Sequence, residues 1–462
     1  MHKDARYAVG RGQVETVAAL YQSGQTAAAA QLVSADLLAT LDDRAAAECL
    51  VLQGMALFDS GDIVAALEAL GKAIDAGARV SSEAQYNASF AHFVRATDFQ
   101  TPEEAIAGLT QLRELAARVG DARSLCGLHL AVARLEGIRG RFFSARHHLQ
   151  MARALAERHT NEALRCSVDL VNASIEAIAG NLHECKSLAL KCLHRARTAA
   201  FARYILAATS NIGVADLYLG NVARARKHFE RILPFTKEIT YIKVGSLDSL
   251  AQLELYEGNL DHCAQLIDEC ARASTPHRLP ARSWYDLAHQ ITRCAYHERL
   301  EDWDRIIEIC DDADTEVSKR QYKAVRTALL CAKARALTRL GRRPQADRVL
   351  AHAVKTCPRG AVDSLIVLEA SKAICAGLNG DRAAAALHFD RSLAACRAIG
   401  HKYHETWIER QRSELSRTTL AVAPPHPPLD VTRTALVLTD VAAILGAGHS
   451  IDLLAHRVVS IL

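Results

Sequence analysis

Cysteines are the residues of this sequence whose type and spacing most suggest chemistry. The 462-residue chain holds 13 of them, an odd number, without any Cys-x-x-Cys motif. Cys185 and Cys192 are seven residues apart, as are Cys263 and Cys270, which on an α-helix places each pair on one face about 10 Å apart. That separation excludes a disulfide within an intact helix. We interpret these cysteines as small, buried packing residues with reduced thiols, with redox sensing or metal binding as the alternatives.

Histidines could also suggest a metal site. Neither His147-His148 nor the combination of His183 with Cys185 has the number or spacing of ligands that a zinc site needs. The sequence also lacks a glycine-rich phosphate loop, a Gly-x-Ser-x-Gly motif and a His-Glu-x-x-His motif. We therefore predict no catalytic residues, no bound metal and no cofactor, and we expect the protein not to be an enzyme.

The overall charge and hydropathy exclude several classes of partner. Apolar residues make up 50% of the chain and charged residues 23%, and the net charge is +4. Over this length the balance is nearly neutral, so it provides no electrostatic argument for nucleic-acid or membrane binding. The N-terminus has no apolar core of the signal-peptide kind, and no apolar run reaches the roughly 18 residues of a membrane span. We expect a cytoplasmic protein that binds neither membranes nor nucleic acids.

A recurring pattern of small and large residues indicates which elements position these side chains. Residues 54–73, GMALFDSGDIVAALEALGKA, carry it at six positions: Gly54, Leu57, Gly61, Ala66, Leu70 and Ala73. Two antiparallel helices approach closely where small residues face each other, a glycine can take the left-handed turn conformation, and large residues fill the space between hairpins. The pattern resembles that of tetratricopeptide repeats, which implies an all-α solenoid of helical hairpins.

Turn glycines recur at intervals close to 40 residues. Their spacing is 37 to 40 residues except for gaps of 79 and 83 residues: Gly24, Gly61, Gly140, Gly180, Gly220, Gly258, Gly341 and Gly380. Each gap predicts one further hairpin, with a helix start at Thr101-Pro102-Glu103-Glu104 and a break at Leu300-Glu301-Asp302. HEAT-type arrays also have a period near 40, but the glycine and alanine register favours the tetratricopeptide interpretation. We predict a right-handed superhelical solenoid of about ten hairpins over residues 1–420.

The first helix of each hairpin should line the concave groove in which arrays of this type bind their partners. The repeat register places six polar residues there: Arg134, Asn172, Asn211, Asp248, Gln252 and Arg335. Asn87 and Arg293 lie on first helices whose register the pattern does not determine. Amide and guanidinium groups along a groove can bind a peptide backbone or a carboxylate. We predict a protein or peptide ligand in this groove, and the alternative for each residue is an ordinary solvated side chain.

The repeat pattern stops at a proline-rich segment. Residues 421–430, AVAPPHPPLD, hold four of the ten prolines, which favour extended backbone and end helices. Residues 431–462 then predict two helices around Gly446-Ala447-Gly448, with Ser450 as the cap of the second. Two such helices cannot bury their apolar faces alone. We predict that 421–430 is a linker and that 431–462 begins a following domain.

This order of parts is similar to that of some bacterial transcription regulators. Repeats followed by a helix, a short turn and a Ser-capped helix resemble the entry into a GAF-type sensor domain. In activators of the alternative nitrogen-type sigma factor, repeats, a GAF domain, an AAA+ ATPase and Fis-type DNA-binding helices follow one another. The resemblance implies the N-terminal regulatory arm of a bacterial signalling or transcription-regulatory protein, with a homodimer through the C-terminal helices. The alternative is a free-standing scaffold or co-chaperone-like adaptor that recognises peptide tails.

Overall fold

The computed structural model describes residues 2–158, 161–237, 239–274 and 282–422, with side chains from residue 10 to residue 417 of these ranges. These residues form helices and connecting turns, with no β-strand among them. The α-helices are α1 (His2–Gln22), α2 (Thr26–Leu32), α3 (Ala35–Thr40), α4 (Asp43–Ser60), α5 (Ile63–Val80), α6 (Ser82–Ala96), α7 (Pro102–Val119), α8 (Ala122–Ile138), α9 (Phe142–Glu157), α10 (Glu162–Ala179), α11 (Leu182–Thr198), α12 (Ala202–Tyr218), α13 (Val222–Ile232), α14 (Thr240–Glu257), α15 (Leu260–Ser274), α16 (Trp284–Arg299), α17 (Trp303–Lys319), α18 (Lys323–Arg339), α19 (Arg343–Thr356), α20 (Val362–Leu378), α21 (Arg382–Ile399) and α22 (Lys402–Val422). A 3₁₀ turn at Leu233–Phe235 follows α13.

The helices pair into antiparallel hairpins that stack on one another. From α4 and α5 to α20 and α21, each even-numbered helix packs against the next helix, and the first helix of a hairpin also packs against the first helix of the following one. Together with α1 and α2 this makes ten hairpins in the described part of the chain. The predicted all-α solenoid is therefore confirmed.

The turn glycines have the backbone conformation that their recurrence predicts. All eight have φ between +72° and +94°, a left-handed region that other residues rarely adopt. The two hairpins without a turn glycine, α6–α7 and α16–α17, lie in the two long gaps between turn glycines, as predicted. Thr101 and Glu104 form a reciprocal capping box at the start of α7, and Glu301, with φ of +57°, turns the chain between α16 and α17.

Small residues allow the close approach of paired helices. A Cβ added at Gly54 would lie 2.5 Å from Leu70 Cγ, and one at Gly213 would lie 2.8 Å from the Phe229 ring. The four cysteines at small positions of α11 and α15 are fully buried and carry no disulfide: Cys185, Cys192, Cys263 and Cys270. Their burial agrees with a packing role.

The solenoid winds back on itself, which the repeat pattern does not predict. Helix α14 packs against α4, and α20 packs against α10. Thr240 Oγ1 donates to the Ser60 carbonyl at 3.3 Å, and Tyr322 Oη donates to the Asp98 carbonyl at 2.9 Å. Residues that are 180 to 224 positions apart are thereby in contact.

The C-terminal part of the prediction lies mostly outside the described residues. One compact unit covers Met1–Arg410, and a second begins at Gln411. Helix α22 runs to Val422, two residues past the predicted end of the array. The rest of the linker, the two helices over 431–462 and the homodimer through them lie outside the described residues. None of the described helices has both the length and the apolarity to cross a membrane.

Candidate functional site

Polar side chains on the first helices, and Asp98 in the turn after α6, form hydrogen bonds from one hairpin to the next. The partners are 34 to 41 residues apart, which is one repeat: Asp98 with Arg134, Ser174 with Asn211, Tyr218 with Gln252, Asp248 with His289, Gln252 with Thr292, Glu298 with Arg335, and Arg335 with Ser371. We call this set the inter-hairpin row. It includes five of the six residues predicted to line a binding groove.

The two arginines of the inter-hairpin row each bind a carboxylate, of which Asp98 is buried and Glu298 is partly buried. Arg134 Nη2 donates to both oxygens of Asp98 at 2.8 Å. Burial raises the pKa of Asp98, and the charge of Arg134 opposes that rise. Arg335 donates to both oxygens of Glu298 and to Ser371 Oγ, and its guanidinium carbon lies 5.1 Å from the centre of the Trp407 ring. These arginines connect consecutive hairpins.

The side-chain amides of the inter-hairpin row also have hydrogen-bond partners. Asn211 Nδ2 donates to Ser174 Oγ at 3.2 Å. Gln252 accepts from Tyr218 Oη at 2.8 Å and donates to Asp248 Oδ2 at 2.9 Å. Asp248 Oδ1 lies 2.6 Å from His289 Nδ1. A ligand at these atoms would therefore have to break existing hydrogen bonds.

The remaining predicted residues lie elsewhere. Asn172 is not part of the inter-hairpin row. It lies on α10 and lines a cavity of about 180 Å³ formed by α9, α10 and α11, together with Arg146, Arg153, Glu176 and Glu184. Arg293 donates to Gln290 on its own helix at 2.7 Å, and Asn87 is a half-buried residue of α6. The predicted groove set is thus divided between two surfaces.

A second polar pattern, which the sequence analysis missed, surrounds the hairpin turns. An acidic residue four positions before the turn glycine accepts from a basic residue of the preceding hairpin: Glu176 from Arg146, Asp216 from Lys186, and Glu254 from Arg226. The Asn after the glycine donates to the same carboxylate: Asn181, Asn221 and Asn259. The basic residue lies six positions after its own turn glycine in all three cases, and this fixed offset is the signal that could have revealed the pattern.

A basic cavity of about 510 Å³ lies where the solenoid winds back on itself. Its lining residues come from the last residue of α4, from Lys237 before α14, from the first turn of α14 and from the end of α15: Ser60, Lys237, Thr240, Lys243, Glu269, Arg272 and Ala273. Lys243 Nζ is 3.8 Å from a Glu269 oxygen, while Lys237 and Arg272 are exposed. Among the lining residues that the structure describes, there are thus three cations and one carboxylate. Phe235, whose exposed fraction is 71%, lies two residues before Lys237.

Three potential metal ligands meet at the start of two late helices. Asp363 is the second residue of α20, His401 directly precedes α22, and His404 lies in its first turn. Asp363 Oδ1 is 3.1 Å from His401 Nε2 and 2.9 Å from His404 Nε2. The repeat pattern does not pair these residues, because Asp363 precedes His401 by 38 positions. The only local signal was His401-x-x-His404 at a helix start.

Comparison with known proteins identifies the fold and no family. No protein-family model matches the sequence, and no curated protein matches it. A Rap protein solved in complex with Competence and Sporulation Factor is 14% identical, with 77% of this chain and 99% of that chain covered and a TM-score of 0.53. The apo form of RapI and yeast Tom70 match at 11% and 15% identity with TM-scores of 0.44 and 0.37. The first of these matches shows that the chain shares an all-helical repeat fold with the Rap protein.

Proposed function

We propose that this chain is a non-enzymatic scaffold that binds an acidic segment of a protein or peptide. The basic cavity is the observation that carries the proposal. It brings Lys237, Lys243 and Arg272 together, with Glu269 as the one carboxylate among the described lining residues. Its volume of about 510 Å³ is within the roughly 300–1,000 Å³ of common ligand pockets, which suits a few side chains of an extended segment.

The chemistry of the cavity favours carboxylates as ligands. Lysine and arginine form charge-assisted hydrogen bonds with carboxylates, which are about twice as strong as those between neutral groups. Thr240 and Ser60 add neutral polar groups to the same wall. The exposed ring of Phe235 offers an apolar contact beside it. An acidic stretch that also carries an apolar side chain fits this surface.

We place the ligand at the basic cavity rather than along the predicted groove. Arg134, Gln252 and Arg335 are already hydrogen-bonded to neighbouring hairpins. A groove ligand would compete with these bonds, and a buried polar group that loses its partner is destabilising. Lys237 and Arg272, in contrast, are exposed and available to a partner.

We further propose that the scaffold is the N-terminal regulatory arm of a bacterial signalling or transcription-regulatory protein. The support is the sequence alone, in which the repeats are followed by a proline-rich segment and by a pattern that predicts two GAF-like helices. The alternative is a free-standing adaptor. Its support is the Rap protein, which has this fold over 99% of its length and was solved with Competence and Sporulation Factor bound. Both versions share the same binding step, and they differ in whether a linked domain responds to it.

The test is a charge reversal of the basic cavity. We expect the Lys237→Glu, Lys243→Glu and Arg272→Glu triple variant to bind acidic peptides at least tenfold more weakly than the unchanged chain, because three attractive charges become repulsive. The probe is a set of fluorescently labelled random peptides graded by their Asp and Glu content, and binding is measured by fluorescence anisotropy at fixed salt.

The matched control reverses three exposed cations elsewhere, as Lys72→Glu, Arg348→Glu and Lys355→Glu. It changes the net charge equally and should keep the affinity within about twofold, because surface charges at a distance are screened by salt. If both triple variants lost the same amount of binding, the loss would come from the change in net charge and not from the basic cavity. Unchanged binding in the cavity variant would refute the proposal.

A further inference from the structure

We propose that Asp363, His401 and His404 bind a divalent transition-metal ion of the zinc class and that this ion fastens α20 to α22. Two imidazoles and one carboxylate form a donor set typical of zinc and related first-row metals. Nitrogen donors disfavour Mg²⁺ and Ca²⁺, which prefer oxygen ligands. The three ligand atoms lie within 4.8 Å of one another, and Asp363 Oδ1 is within 3.1 Å of both Nε2 atoms.

The three side chains form short contacts whose geometry is not that of a hydrogen bond. Asp363 Oδ1, His401 Nε2 and His404 Nδ1 are all buried and have no hydrogen bond of acceptable geometry. The His401 side chain is only 1% exposed. Buried polar atoms without a partner are rare in folded proteins and require an explanation such as a bound ion. An ion between the carboxylate and the imidazoles would satisfy Asp363 Oδ1 and His401 Nε2.

The observed separations are close to those of a metal site. Ligand atoms about 2.0–2.1 Å from a tetrahedral ion are roughly 3.3 Å from one another. The present distances from Asp363 Oδ1 are 2.9 Å and 3.1 Å, so a few tenths of an ångström of outward movement would admit the ion. This movement is possible at Asp363, whose side chain is 34% exposed.

Coordination requires a local rearrangement of the two imidazoles. His401 Nδ1 accepts from the His404 backbone N–H at 3.2 Å, and coordination through Nε2 moves the ring proton to Nδ1, which ends this long bond. The two rings are stacked, with centres 4.2 Å apart and planes 11° apart, so the His404 ring must turn to direct its Nε2 lone pair at the ion. His404 Nδ1 has no hydrogen-bond partner, so the rotation breaks no hydrogen bond at that atom, while the 2.9 Å contact of His404 Nε2 with Asp363 is replaced by the bond to the ion.

The surroundings supply a further ligand and support for the rings. Because Asp363 is partly exposed, water can complete the coordination. The Tyr218 ring stacks on His401 at 5.0 Å between centres. The ion would therefore join α20 and α22 beside α12, which belongs to the preceding superhelical turn.

The experiment measures metal binding by the full 462-residue chain after treatment with a chelator and its removal. Co²⁺ is added and followed by its visible absorption, and Zn²⁺ binding is measured by calorimetry. We expect one equivalent per chain, a Co²⁺ spectrum of the tetrahedral kind, and a rise in melting temperature on addition of Zn²⁺. Asp363→Asn and His404→Ala should each weaken Zn²⁺ binding at least tenfold and abolish the rise.

The control is His194→Ala, which removes an exposed histidine of α11 and should bind Zn²⁺ as the unchanged chain does. Circular dichroism verifies that each variant is folded, and Asp363→Asn keeps the size of the side chain if His404→Ala fails to fold. The proposal is overturned if the unchanged chain binds no Co²⁺ or Zn²⁺. It is equally overturned if Asp363→Asn binds one equivalent with unchanged affinity, because the ligands would then lie elsewhere.

Discussion

At the scale of single residues, carboxylates near the hairpin turns are held by groups from two hairpins. Glu254 accepts from Arg226 Nη1 at 2.7 Å and from Asn259 Nδ2 at 2.8 Å. Burial raises its pKa, but these two hydrogen bonds and the nearby positive charge lower the pKa overall. The ionised form of Glu254 is therefore favoured in the folded protein, and it helps to hold α14 against α13.

We predict that Glu254→Gln lowers the free energy of unfolding at pH 7 by about 1–2 kcal/mol, because a charge-assisted hydrogen bond is lost at a partly exposed arginine. The folded pKa lies below the ordinary value of 4.5. The contribution is thus present above that value and is lost as the pH falls through the folded pKa. Urea unfolding at several pH values measures this, and the variant should approach the unchanged chain at acidic pH.

The control for this prediction is Glu230→Gln, which removes an exposed carboxylate 3.9 Å from the same arginine. It should change the free energy of unfolding by less than about 0.5 kcal/mol. A difference at Glu254 that did not depend on pH would indicate that the loss comes from packing rather than charge.

At the scale of helices, two kinds of glycine make a hairpin possible. Gly258 ends α14 with φ of +89°, and no atom lies within 4 Å of a Cβ added to it. Gly54, in contrast, lies inside α4, and a Cβ added to it would clash with Leu70. Gly71 lies inside α5 with no atom near an added Cβ. Substitutions at the three glycines therefore test three different effects: the left-handed backbone at Gly258, the close helix contact at Gly54 and helix propensity alone at Gly71.

We predict three different responses to alanine at these positions. Gly258→Ala should destabilise the fold by about 1–2 kcal/mol through its left-handed backbone, and Gly54→Ala by about 1–3 kcal/mol through overpacking. Gly71→Ala should stabilise by about 0.5–1 kcal/mol, because alanine is the better helix former. Thermal unfolding of the three variants measures this. If Gly54→Ala behaved like Gly71→Ala, close helix contact would not be the reason for the small residue.

At the scale of the whole repeat unit, buried charges join residues from different superhelical turns. Asp59 is fully buried, accepts from Tyr21 Oη at 2.9 Å and forms an ion pair of 3.0 Å with Arg203. Arg203 lies between the rings of Tyr21 and Tyr241 and donates to Tyr241 Oη. Two hairpins that are far apart in the sequence thereby share one polar cluster.

We predict that Arg203→Ala lowers the free energy of unfolding by about 3–5 kcal/mol, because it leaves the buried charge of Asp59 without its cation. Hydrogen exchange should then increase both in α4, which carries Asp59, and in α12, which carries Arg203. The control is Arg342→Ala, which removes an exposed ion pair with Asp304 and should change stability by less than about 1 kcal/mol. Faster exchange confined to α12 would contradict a link between the superhelical turns.

The sequence by itself determined the hairpins. Turn glycines such as Gly61, the capping box at Thr101 and the small positions such as Gly54 act within about one repeat of 40 residues, so their pattern could be recognised and counted. The same reasoning assigned Arg134 and Arg335 to the first helices. It could not show that their guanidinium groups are hydrogen-bonded to carboxylates, because these carboxylates lie one repeat away, at Asp98 and Glu298.

Only the tertiary structure decided which distant residues meet. Ser60 and Thr240 form one wall of the basic cavity, and Asp363 approaches His401 and His404. Such meetings depend on the small rotation between successive hairpins, which accumulates along a solenoid. No local pattern of small and large residues specifies the sum of these rotations. The position of each hairpin could therefore be predicted from the sequence, whereas the sites formed between superhelical turns could not.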